Sequence, residues 1–116
     1  LTLVDCVASD NGGGFYGSSG LHDFYGDQWV VRNTSAGLGG GLYVAGSTSS
    51  FAVVNTSVSD TSAGVGGGGF YFHESLHGVR LENVTVTHGS AAYGGAVNVN
   101  YDVSGFELID CVLDSN

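Results

Sequence analysis

Proline, methionine and lysine are absent from the 116 residues, and Arg32 and Arg80 are the only permanently cationic side chains. Set against eleven acidic residues, they leave a formal charge of −9. A surface so poor in cations cannot neutralise a phosphate backbone, which excludes nucleic acid as a partner and disfavours anionic membranes. No apolar run approaches the roughly 20 residues that span a bilayer, so no membrane insertion is expected. Without proline, and without a strict Gly-X-Y period, the 21 glycines do not encode a collagen helix. Charged residues make up only 11% of the chain, whereas 42% is hydrophobic and 11% aromatic, which excludes a disordered composition. Residues 1–116 are therefore expected to fold as a single unit. There is no initiator methionine and no secretory leader, and the glycine pattern is still running near Asn116. The chain reads as a segment of a longer protein or of a polymer.

Glycine is in excess, and it is not scattered. GGGFY from Gly12, GGGLYV from Gly39, GGGGFYF from Gly66 and GGAVNV from Gly94 begin 27, 27 and 28 residues apart. Asn33-Thr34-Ser35-Ala36-Gly37-Leu38 before the second run matches Asp60-Thr61-Ser62-Ala63-Gly64-Val65 before the third. Between the runs the apolar period is two, as in Phe51-Ala52-Val53, Val79-Arg80-Leu81 and Val84-Thr85-Val86. That alternation marks short strands with one buried face, and nothing sustains a helical spacing. A unit of about 27 residues with two or three such strands cannot bury its own apolar face and must stack on its neighbours.

The fold class is accordingly all-β, a parallel β-helix (β-solenoid) of about four coils, uncapped at both ends. The coils are expected near 1–28, 29–50, 51–78 and 79–105, with a fifth starting over 106–116. Val53, Val58, Leu81, Val84 and Val86 are expected to point inward. Glycine at a strand head permits the positive φ of a tight corner and the close approach of neighbouring coils. A phosphate-cradling loop would need a Gly-Lys-Ser/Thr ending or a following helix, and neither exists here. Three polar connectors, 45–50, 73–78 and 100–105, have equal length. The first, 17–28, is about twice as long, and as an irregular loop it is the first place to look for a site.

Short Val/Leu/Phe strands, then Asn or Asp at a corner, then Ser-Ala-x-x-Gly-Gly-Gly and an aromatic strand make up the repeating order. It resembles right-handed parallel β-helix repeat proteins of the pectin-lyase-like superfamily. Gly94-Gly95-Ala96-Val97 is similar to the GGA-[IV] repeats of bacterial polymorphic outer-membrane proteins, and the SAGxGGG form is similar to surface proteins of algae and other protists. The resemblance spans the whole chain. It implies a right-handed coil at an extracellular or cell-surface location and leaves the chemistry open.

Three N-x-[ST] sequons, at Asn33, Asn55 and Asn83, are candidate acceptors of N-linked glycans. Asn55 and Asn83 are one repeat apart and belong at the same corner, whereas Asn33, counted back from the glycines, matches Asp60. The structural alternative is a ladder of asparagine amides between coils. With the extracellular resemblance and the scarcity of basic residues, glycosylation is the expectation. No other cofactor is expected.

Cys6 and Cys111 both follow aspartate, in LTLVDCVASDN and FELIDCVLDSN, which agree at five of eleven positions. Four coils at about 4.8 Å each would set them about 19 Å apart, too far for an intrachain disulfide. Each is expected as a small buried thiol at the place Val84 takes in the neighbouring repeat. End-to-end self-association offers a second role, an intermolecular disulfide between Cys111 and Cys6 of the next copy.

His22, His73, His77 and His88 lack metal-ligand spacing, and Phe15, Leu42, Phe70 and Val97 stand near the place where a calcium-binding nonapeptide repeat needs aspartate. No metal site is expected, and Asp23 and Asp27 read as a solvated acidic loop. Polysaccharide hydrolysis needs two carboxylates flanking the bond, and elimination needs a base with calcium carboxylates. The chain has no Asp-Asp pair and no Arg-x-Lys, so it is not expected to be an enzyme.

Phe24, Tyr25 and Trp29 are the candidate glycan contacts, within an aromatic set that includes Phe15, Tyr16, Phe70, Tyr71 and Phe72. Alternation must send part of that set inward. The expected function is structural, the shaft of an extracellular adhesin or the repeating body of a fibre. Its partners are further copies or more of the same chain. A carbohydrate-binding or polysaccharide-cleaving module is the alternative.

Overall fold

The computed structural model describes residues 1–116. The strands, in chain order, are β1 (Thr2–Val4), β2 (Phe15–Gly17), β3 (His22–Asp27), β4 (Val30–Arg32), β5 (Ser35–Leu38), β6 (Leu42–Val44), β7 (Thr48–Ser59), β8 (Ser62–Gly66), β9 (Phe70–Phe72), β10 (Leu76–Thr87), β11 (Val97–Val99), β12 (Val103–Ile109) and β13 (Val112–Asp114). There is no helix, and every strand pairing is parallel. Each strand lies beside the one 27 or 28 residues further along: Phe15 faces Leu42, Leu42 faces Phe70, and Phe70 faces Val97. The result is a β-solenoid of about four turns with three faces. The broad face holds β1, β3, β4, β7, β10, β12 and β13, the second β2, β6, β9 and β11, and the third β5 and β8.

The corners are set by backbone conformation. Gly12, Gly39, Gly67 and Gly94 stack in one column with φ of 61° to 63°. A Cβ at Gly39 would lie 2.6 Å from the Tyr43 Cβ, closer than two carbons can approach. In the third run the corner falls on Gly67, one residue later than the start of the glycines suggests. Three further columns adopt the same left-handed conformation without requiring glycine: Gln28, Asn55, Asn83 and Asp110; Asp5, Asn33, Asp60, His88 and Ser115; and Asp23, Ser50, Gly78 and Gly105. Asn and Asp dominate the first two because their short polar side chains tolerate this conformation better than other non-glycine residues.

Alternation along β7 and β10, reset at the left-handed Asn55 and Asn83, sends Phe51, Val53, Val58, Val79, Leu81, Val84 and Val86 into the interior, where all are fully buried. The five expected inward residues are among them. At the stack's ends the same columns lose their cover. Leu108 continues the Leu81 column yet is 46% exposed, because no coil lies beyond it.

Two expectations about connectors are corrected. Residues 17–28 do not form a long irregular loop: His22–Asp27 is β3, in register with β7 from His22 opposite Ser49 to Asp27 opposite Val54. The other connectors are shorter than expected, only 45–47, 73–75 and 100–102, because β7 and β10 begin at Thr48 and Leu76. Ser50 and Gly78 bend those strands through positive φ without changing the register on either side, so a polar, glycine-bearing stretch that reads as a turn is a kinked strand. The coil division at 29–50 gives way for the same reason, since pairing holds a repeat of 27 or 28 residues throughout.

Candidate functional site

The sequons sit on corner columns. In the first column Asn83 Nδ2 donates to Asn55 Oδ1 at 2.8 Å; Asn55 Nδ2 in turn donates at 2.9 Å to Asp27 Oδ1, which belongs to the residue just before the column's own Gln28. In the second, Asn33 Nδ2 donates to Asp5 Oδ1 at 2.6 Å, and His88 Nδ1 lies 3.4 Å from Asp60 Oδ1. Asn33 thus shares a column with Asp60, as the count from the glycines implied. All three sequon side chains are exposed. The amide ladder and the sequons therefore coincide. Each Nδ2 carries two hydrogens and the ladder uses one, which leaves one hydrogen on every sequon nitrogen free of it.

Beside the first column runs an open cleft of about 320 Å³, lined by Trp29, Val30, Asn55, Ser57, Asn83 and Thr85 among others. Ser57 and Thr85, the hydroxyl residues of two sequons, face each other in register across β7 and β10.

The cysteines, alike in local sequence, occupy different columns. Cys111 follows the corner at Asp110 and continues the column of Trp29, Thr56 and Val84, whereas Cys6 follows the corner at Asp5 and heads the column of Thr34 and Thr61. Each coil has two Asx-type corners followed by an inward position, and the sequence match superimposes one on the other. Both thiols are free and half-buried. The Cys111 Sγ packs on the core and lies 3.2 Å from the Leu81 carbonyl oxygen. Leu1 heads the column in which Cys111 lies, so coils stacked end to end in register would set Leu1, not Cys6, over Cys111.

Phe24, Tyr25 and Trp29 do not share a face. Phe24 lies flat against Phe51, centroids 5.0 Å apart and planes at 11°, and meets Trp29 edge-on at 5.6 Å. Phe15 completes this inner cluster, while Tyr25 points out and is 66% exposed.

Sequence reasoning missed an outward ladder, Tyr16–Tyr43–Tyr71, stacked at 5.3 and 5.2 Å. Its signal was the central tyrosine of FYG, LYV and FYF, one repeat apart. Tyr43 and Tyr71 are only 5% exposed. Burial pushes both phenols above their ordinary pKa, and neighbouring tyrosines push the same way. The His73 ring lies between Tyr71 and Tyr101, 6.0 Å from each.

Other polar side chains pair as well. His22 Nδ1 is 2.7 Å from Ser49 Oγ and His77 Nδ1 is 2.6 Å from Ser104 Oγ, two rungs of a single column. Arg80 bonds Glu82 at 2.6 Å. No three His, Cys, Asp or Glu side chains converge, and no helix is long and apolar enough to cross a membrane. Comparison with protein-family models, curated proteins and solved structures finds no match.

Proposed function

We propose that this chain is a structural β-solenoid, right-handed and of the pectin-lyase-like kind. It serves as the shaft of an extracellular adhesin or the repeating body of a fibre, and carries N-linked glycans at its corners. One observation carries the reading: the apolar face of an inner coil is sealed by the coils on either side of it, as Leu81 is between Val53 and Leu108. Such a stack is built by repetition along one axis, as a shaft or a fibre body is. The outer surface supports the same view, because its polar side chains bond mainly to the same position one coil away and so repeat a pattern along the axis.

Imaging of the native assembly tests the proposal. A continuous rod whose axial repeat is about 4.8 Å by fibre diffraction is expected. A compact particle that does not elongate, or one that turns over a polysaccharide, would overturn it.

A further inference from the structure

Asn55 and Asn83 are adjacent rungs, with Asn83 Nδ2 only 2.8 Å from Asn55 Oδ1 and both backbones left-handed at φ 48° and 50°. One coil is about 4.8 Å high. A pyranose ring with its equatorial substituents is broader than that, so two sugars attached one coil apart on one column collide. Asn33 has no such neighbour, because the rungs on either side of it are Asp5 and Asp60.

We propose that Asn55 and Asn83 act as one glycosylation site, which accepts a single N-linked glycan in the folded protein, while Asn33 accepts its own independently. The proposal rests on the glycoprotein reading above. In the transfer, the amide nitrogen attacks C1 of the innermost sugar of a lipid-linked pyrophosphoryl oligosaccharide. The N–C1 bond forms, the C1–O bond breaks with its electron pair on the departing pyrophosphate, and the nitrogen gives up one proton to base. One N–H remains, enough to keep the ladder bond. The cleft beside the column suits the first sugar: the 41% exposed Val30 offers it an apolar contact, and Ser57 and Thr85 offer hydroxyls. A chain modified at both residues before folding cannot close the column and leaves the folded pool.

The test is to secrete the chain from a glycosylating eukaryotic host and count glycans on the folded fraction by intact mass, with and without glycosidase. Ser35→Ala silences Asn33, and Ser57→Ala or Thr85→Ala silences one member of the pair without touching the amides. Asn55→Asp and Asn83→Asp form a second set, since Asp110 already occupies this corner. One glycan is expected on Ser35→Ala, still one after either further single change, and none after both. Two glycans on folded Ser35→Ala overturn the inference. So does a count that falls to zero after one particular single change, because the glycan then belongs to one fixed asparagine. Zero on Ser35→Ala while the unaltered chain carries a glycan at Asn33 also overturns it and leaves the glycoprotein reading standing. No glycan on any chain overturns both.

Discussion

Thr34 and Thr61 are successive residues of one buried column, and only one of their hydroxyls is satisfied. Thr34 Oγ1 donates to the Gly40 carbonyl at 2.5 Å, whereas Thr61 Oγ1, in a residue 1% exposed, meets no partner. An unpaired buried hydroxyl costs about 1–3 kcal/mol. Thr61→Val keeps the shape and removes the cost, so it should raise the melting temperature by a few degrees, about 4 °C per kcal/mol. Thr34→Val should lower it. Thermal unfolding of the two variants checks the pair, and a lower melting point for Thr61→Val would show that its hydroxyl has a partner.

Val84→Asp places an ionised group in a fully buried site with nothing to pair it. A loss of more than about 4 kcal/mol is expected, enough to unfold the neighbouring coils. Leu108→Asp, in an exposed position of the end coil, should cost little in this chain. Circular dichroism melts of both variants give the comparison, and wild-type stability for Val84→Asp would refute its inward placement.

The corner columns differ in what they tolerate. Gly39→Ala adds a Cβ in a left-handed backbone against Tyr43 and the Leu42 carbonyl, and at least about 2 kcal/mol should be lost. Gly78 has an equally positive φ of 64° but open space around it, the nearest atom to a new Cβ being the Ser50 nitrogen at 3.8 Å. Gly78→Asn should therefore fall within about 0.5 kcal/mol of the parent. Urea titration separates the two, and equal losses would show that φ alone governs both corners.

The tyrosine ladder predicts an alkaline limit. Burial holds the Tyr43 and Tyr71 phenols above the 10.0 of a free tyrosine, so the unfolded chain loses its protons first. Below that value both states are protonated and the pair contributes no pH dependence. As pH rises past it, unfolding is favoured and stability falls. Stability measured across this range should drop, and the drop should shrink in Tyr43→Phe and Tyr71→Phe. A decline of the same size in both variants would place its origin elsewhere.

How much of this was legible depended on what each residue must do. The glycine runs announced both the repeat and one corner column, because only glycine fits at positions such as Gly39. Val53 and Leu81 were readable as inward from the alternation before the Asn55 and Asn83 corners, and Val84 from the separate alternation that restarts after Asn83. The bends at Ser50 and Gly78 were not, since a strand that kinks while keeping its register has the same composition as a turn. Cys6 and Cys111 misled for a related reason: two different corners use the same Asp-then-small-residue grammar, and only pairing across coils tells them apart. The tyrosine ladder was visible as a triplet but not as a surface feature, because an outward residue covered by its own copies looks, in sequence, like core.

At the corner of Gln28, Asn55, Asn83 and Asp110 the fold asks for a backbone angle and accepts four residues of two chemistries, carboxamide and carboxylate. The same holds where Asp5, Asn33, Asp60, His88 and Ser115 succeed one another. Shape and surface are thereby decoupled. Charge, sugar attachment or a titratable imidazole can be exchanged from coil to coil while the course of the chain stays fixed, so such a scaffold is free to vary its exterior without renegotiating its interior.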